Sequence, residues 1–257
     1  MVEKINRLYK KNELLFAILW IVMYVVLLSL ADNFSVEIGV HKLVTVVVCA
    51  ALTLILVMWM KRSGLYEKYG LCKSKLEPSK LLYYIPLVLL ASVNLWFGVT
   101  MNYSPLETVL YAASMLFVGF LEEVIFRGLL FKAMSKDGLK SAIIVSSVTF
   151  GIGHIVNLIN GSGADIFSNL LQVGYAIAAG FAFTMLFHRS KSLWACIITH
   201  GVLNALSVFA NEGARTPGRD IFCAVMLTVI SLAYAGYLTK VKTAKEKEQV
   251  SEQNKEG

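Results

Sequence analysis

Eight apolar runs dominate this chain, and no water-soluble core could absorb them. They cover residues 14–31, 43–60, 81–100, 106–131, 141–158, 166–187, 193–210 and 221–238. A helix crossing the hydrocarbon core of a bilayer needs about 20 mostly apolar residues. Only helices and closed barrels satisfy their backbone polar groups in lipid. Runs without strict alternation select helices. Composition agrees: 57% of residues are hydrophobic and 16% charged, against about 25% charged in soluble domains. The expectation is an all-α, polytopic transmembrane bundle of about eight spans.

Lysine and arginine orient it. With the N-terminus inside and eight spans, all of the 24 Lys and Arg except Lys42, Arg215 and Arg219 fall on the inner side. Cytoplasmic loops carry this excess, so both termini are expected inside. The same bias accounts for the net charge of +7. No basic stripe or aromatic platform accompanies it, which argues against nucleic acid. Lys4, Arg7, Lys10 and Lys11 precede the first run in the manner of a signal peptide. That run exceeds the usual signal core of about 7–15 residues, so an uncleaved helix is expected. Cys49, Cys72, Cys196 and Cys223 are far apart and form no Cys-x-x-Cys pair, as expected of packing residues rather than a disulfide framework. Residues 1–240 read as one membrane domain with its core at 106–210. Residues 241–257, rich in Lys, Glu and Gln, read as a disordered cytoplasmic tail.

Ionisable groups inside a membrane helix cost about 2.5–3.5 kcal/mol each on insertion scales, so the few present are informative. The fourth run contains Glu122, Glu123 and Arg127 within six residues. Glu123 and Arg127 are four apart and can pair on one helix face, whereas Glu122 has no partner nearby in sequence. The fifth run carries Phe150 and His154, the seventh His200 and Asn204. Counted from the inner basic flanks at about 1.5 Å per residue, Glu122, His154, His200 and Asn204 lie roughly 13–21 Å deep. That is one slab of a core about 30 Å thick. Simple helix–helix adhesion does not require a carboxylate and two imidazoles at a single depth. These are groups that activate water and hold an oxyanion.

Glu-Glu-x-x-x-Arg, Phe-x-x-x-His and His-x-x-x-Asn, in this order on successive membrane helices, resemble the CPBP family. That family comprises the type II CAAX prenyl endopeptidases and the bacteriocin-processing or Abi-type membrane proteins. The resemblance implies an intramembrane endopeptidase acting on a membrane-associated peptide or lipidated protein, an integral multi-pass protein whose membrane is the plasma membrane if the host is bacterial. It implies that Glu122 and His154 bind and activate water, that His200 and Asn204 hold the oxyanion, and that Glu123, Arg127 and Phe150 support them. The family is often labelled metallo-, and zinc at Glu122, His154 and His200 is the alternative. The His-Glu-x-x-His helix of common zinc proteases is missing, so the expected mechanism uses no cofactor. Two other readings stay open. One is a non-catalytic immunity or scaffold protein. The other is a proton-coupled transporter, disfavoured because no inverted repeat is visible.

Overall fold

The computed structural model describes residues 2–76, 84–160 and 165–241. Residues 242–257 of the expected 241–257 tail, and residues 161–164, lie outside the described residues. Within them the chain is helical, with a single isolated antiparallel bridge between Val99 and Ala210. Helix α1 (Val2–Lys11) precedes α2 (Glu13–Ile38) and α3 (Leu43–Arg62). Then follow α4 (Ile85–Leu95), α5 (Pro105–Met134), α6 (Leu139–Leu158), α7 (Ile166–Ser190), α8 (Trp194–Phe209) and α9 (Pro217–Lys240). Six of these, α2, α3, α5, α6, α7 and α9, are long and apolar enough to cross a membrane. The protein is a multi-pass integral membrane protein.

The expected third and seventh spans are shorter than their apolar runs. In α4 the α-helix tightens to a 3₁₀ turn at Val93–Leu95, and Asn94 Nδ2 donates to Leu203 O at 2.7 Å. In α8 the turn tightens at Ser207–Phe209. Beyond these ends the chain folds over the bundle. Thr100 N donates to Phe209 O at 3.0 Å, and Asn102 Nδ2 donates to the carbonyls of Val208 and Ala210. Polar side chains thus satisfy backbone groups where the helices stop.

Helix starts follow local chemistry. Ser104 and Glu107 form a capping box ahead of Pro105 at the first turn of α5, two orphan donors satisfied reciprocally. Asn12, Asp165 and Thr216 cap α2, α7 and α9 with side-chain acceptors. The basic N-terminal stretch is itself a helix docked on the bundle. Asn6 Oδ1 accepts from Trp59 Nε1 at 2.8 Å and from Ser63 Oγ at 2.9 Å. Tyr9 is buried against Phe16 and Trp59.

Small residues set the separations that matter for the site. A Cβ at Gly119 in α5 would lie 2.5 Å from the backbone nitrogen of Gly201 in α8. One at Gly151 in α6 would lie 2.7 Å from the nitrogen of Ile177 in α7, and one at Gly180 would lie 2.9 Å from the Cα of Ser147. Without a hydrophobic driving force between helices in lipid, such close backbone approach supplies much of the packing. Gly119 lies one turn before Glu123, and Gly201 follows His200, so this contact brings the two polar helices together.

We expect Gly119→Ala to force α5 and α8 apart, because the obstacle is backbone. The cost should be about 1–3 kcal/mol, as for overpacked cores. Gly174→Ala has nothing within 4 Å of the new Cβ and should leave stability unchanged or raise it slightly. Thermal unfolding in detergent checks both; equal melting temperatures would refute the assignment.

Candidate active site

The motif of α5 sits where its backbone changes pitch. The α-helix ends at Glu122, and Glu123–Phe131 form a π-helical segment whose side chains are all buried. Such wide turns are rare and concentrate at functional positions. The regular 100° step of an α-helix therefore does not carry past Glu123, although the four-residue pairing of Glu123 with Arg127 does. Arg127 Nη1 donates to Glu123 Oε1 at 3.1 Å, and both side chains are fully buried. The guanidinium carbon of Arg127 stands 4.0 Å from the centre of the Phe150 ring, a stacking that favours a desolvated cation.

His200 links both glutamates. Its Nδ1 lies 2.8 Å from Glu123 Oε1. A carboxylate only accepts, so Nδ1 carries the hydrogen. The other ring nitrogen, Nε2, lies 3.4 Å from Glu122 Oε2, without the alignment of a hydrogen bond. Glu122 Oε1 accepts from the hydroxyl of Tyr24, on α2, at 2.8 Å. The result is asymmetric. Glu123 is held by Arg127 and His200, both on Oε1, whereas Glu122 is held by Tyr24 alone; the second oxygen of each is buried with no hydrogen-bond partner among the described residues.

His154 lies where α6 tightens from α-helix to 3₁₀. Its Nδ1 is 3.0 Å from Phe150 O, and a carbonyl only accepts, so Nδ1 again bears the hydrogen and Nε2 is the free acceptor. The backbone carbonyl of His154 accepts from Asn169 Nδ2 at 2.8 Å, which ties the turn to α7. The Phe150 ring stands edge-on to both imidazoles, with centroids 5.1 Å from His154 and 5.6 Å from His200. Phe150 thus touches both histidines and Arg127.

Glu122, His154, His200 and Asn204 line one cavity of about 330 Å³. Glu123 and Arg127 stand behind its wall. Asn204, one turn beyond His200, has no side-chain hydrogen-bond partner among the described residues, while its carbonyl accepts from Ser207 Oγ at 2.6 Å. Tyr24, Asn169 and Phe183 went unread at the sequence level. Tyr24 is a single aromatic in a strongly apolar run, where a core role is the ordinary reading, and nothing in the order of residues connects it to Glu122. Among the described residues no three or more His, Cys, Asp and Glu side chains are grouped to hold a metal ion. Both imidazoles commit Nδ1 to protein acceptors and leave Nε2 uncommitted, an arrangement that metal-ligating histidines also use. The four cysteines are free.

Residues 104–206 match the model of the Rce1-like family, type II CAAX prenyl endopeptidase. A protein of Bacillus subtilis (strain 168) named "Putative membrane peptidase YdiL" is 37% identical over 89 residues, which are 34% of this chain and 31% of that relative. The chain thus spans about a third of the length of this curated relative. No solved structure matches it. The matched segment runs from the capping box of α5 to α8 and contains all three motifs, so over these residues the chain is similar to the Rce1-like, type II CAAX prenyl endopeptidase family.

Proposed function

We propose that this protein is an intramembrane endopeptidase that hydrolyses a peptide bond of a membrane-associated substrate with water activated by Glu122. One observation carries the reading. Of two adjacent glutamates, one is held by a cation and an imidazole behind the cavity wall, and the other presents an unpartnered oxygen on that wall. Unsatisfied buried acceptors are uncommon and call for a water or substrate donor.

A chemical course follows from these atoms. A water donates one hydrogen to Glu122 Oε2 and is oriented by the lone pair on His154 Nε2. As its oxygen attacks the substrate carbonyl carbon, the proton passes to Glu122. The carbonyl oxygen becomes the oxyanion. The Asn204 carboxamide supplies one neutral N–H donor to it, and His200 Nε2 supplies a second when the ring is protonated. The proton on Glu122 then goes to the departing amine nitrogen as the C–N bond breaks, giving a carboxylic acid and an amine and returning Glu122 to its carboxylate. Glu123 and Arg127 hold the histidine and the helix turn and touch no reacting atom.

The two glutamates should separate cleanly by mutation. Glu122→Gln preserves shape and removes the base, so turnover per folded molecule should fall about 10²–10⁴-fold with little change in melting temperature. Glu123→Gln strands Arg127 in a fully buried site and should cost about 3–5 kcal/mol, seen as poor yield or a lowered melting temperature. An active Glu122→Gln beside a folded, inactive Glu123→Gln would reverse the assignment. Asn204→Ala keeps the base and loses an oxyanion donor, for an expected loss of about 10²–10³-fold. If all three variants keep full activity, the peptidase reading fails.

Tyr24→Phe removes the hydroxyl that donates to Glu122. Hydrogen bonds to charged groups contribute about 1.5–3 kcal/mol, so this variant should unfold at a lower temperature than Tyr84→Phe, whose hydroxyl has no role at the site. Identical melting temperatures would remove Tyr24 from the constellation. For the metal, we expect the purified protein to hold no stoichiometric zinc and to keep its activity in chelator. Elemental analysis finding about one zinc per chain, lost together with activity in His154→Ala, would overturn this.

A further inference from the structure

The cavity does not end at the glutamates. It continues along α2 past Leu28 to Asp32, and Lys42 lines the same far end. Asp32 and Lys42 are paired at 2.7 Å, and their side chains are only 14% and 12% exposed. Thr45 Oγ1 donates to the same Asp32 oxygen, Oδ1, at 2.6 Å. Both protein donors therefore converge on Oδ1, and Asp32 Oδ2 has no donor among the described residues. Lys42 adopts a left-handed backbone with φ of 61° at the start of α3, a conformation that L-residues other than Asn and Asp rarely take. Such strain is retained where the surroundings impose a particular placement.

Charge and distance say what this end accepts. The ionisable side chains on the cavity wall, besides the two histidines and the tyrosines, are two carboxylates, Asp32 and Glu122, and one ammonium, Lys42. The lining is net anionic when all three are charged. In so enclosed a space a cation gains and an anion loses, since the effective dielectric is low. Tyr24, which holds Glu122, and Asp32 lie eight residues apart on α2, about 12 Å along the helix axis. An extended peptide advances about 3.3 Å per residue, so the same distance spans three to four substrate residues.

We propose that Asp32, held in place by Lys42 and Thr45, is a specificity residue that accepts a basic side chain or free amino group three to four residues from the scissile bond. The spacing rests on the peptidase reading above, while the preference for a cation rests on the cavity alone.

The test uses the full chain purified in detergent and fluorescein-labelled apolar dodecapeptides. Each peptide carries one lysine, walked along it position by position, with alanine and glutamate counterparts. Affinity is read by anisotropy on the Glu122→Gln protein, and cut sites are read by mass spectrometry on the parent protein. Lysine peptides should bind about tenfold or more tighter than alanine ones, as expected of a charge-assisted hydrogen bond. Cuts should fall three to four residues from the lysine. Asp32→Asn should abolish the lysine advantage and leave alanine-peptide binding unchanged. Should that variant fold poorly because Lys42 is stranded, Asp32→Asn/Lys42→Met removes both charges and should show the same loss. A lysine advantage that survives in the folded variant, equal binding of lysine and alanine peptides, or no binding at all would overturn the proposal. Cleavage without charge preference overturns the role of Asp32 and leaves the peptidase reading standing. Lysine-dependent binding that Asp32 controls, with no cleavage by the parent protein, supports the cation site and overturns the peptidase reading.

Discussion

The arrangement depends on a fully buried cluster: Glu123, Arg127 and the ring of His200. A glutamate and an arginine with no exposure are tolerable only when each compensates the other, and removing either would leave a bare charge. The pair ties the π-helical segment of α5 to α8 through His200, and to α6 through the Phe150 ring under the guanidinium. Three helices are thereby joined at one point, and the remaining site geometry follows from their positions. The stabilisation is not all electrostatic. Gly119 and Gly201 let α5 and α8 approach to backbone contact, without which the imidazole could not reach the carboxylate.

Next to this locked cluster, the site keeps a few groups unsatisfied. Glu122 has one committed oxygen and one open one, His154 has one committed nitrogen, and the Asn204 carboxamide has no partner among the described residues. Catalysis by positioned dipoles needs this combination, because groups already oriented need no reorganisation when charge develops. Phe150 keeps the two imidazoles apart at fixed angles, and α2 closes the wall with Tyr24. Helix α2, the first long enough to cross a membrane, therefore lines the candidate site.

The legibility of the site from sequence varied with the kind of signal. Isolated polar residues in apolar surroundings are conspicuous, because lipid penalises each one; Glu122, Glu123, Arg127, His154, His200 and Asn204 all stood out on that ground. Depth counting placed four of them in one slab, and all four line one cavity. The pairing of Glu123 with Arg127 was visible because contacts three or four residues apart on a helix are local. Tyr24 and Asn169 were not visible, since their partners lie 98 and 15 residues away and their types are ordinary in a membrane helix. The shortness of α4 and α8 was likewise hidden. Apolar composition marks what lipid tolerates, while the helix ends are decided by where side chains such as Asn94 and Asn102 satisfy the backbone.

By itself the sequence determined the solvent, the secondary structure and the candidate reactive groups. Hydrophobic run length and the cost of buried charge are properties of single segments, and they can be read one segment at a time. The tertiary structure decided which glutamate pairs with Arg127 and His200 and which lines the cavity, the π-helical turn that starts between them, and the bridging place of His200. It also decided the extension of the cavity to Asp32 and Lys42. Each of these depends on contacts between helices distant in sequence, set by side-chain volumes and close glycine approach, and no local pattern encodes such distances.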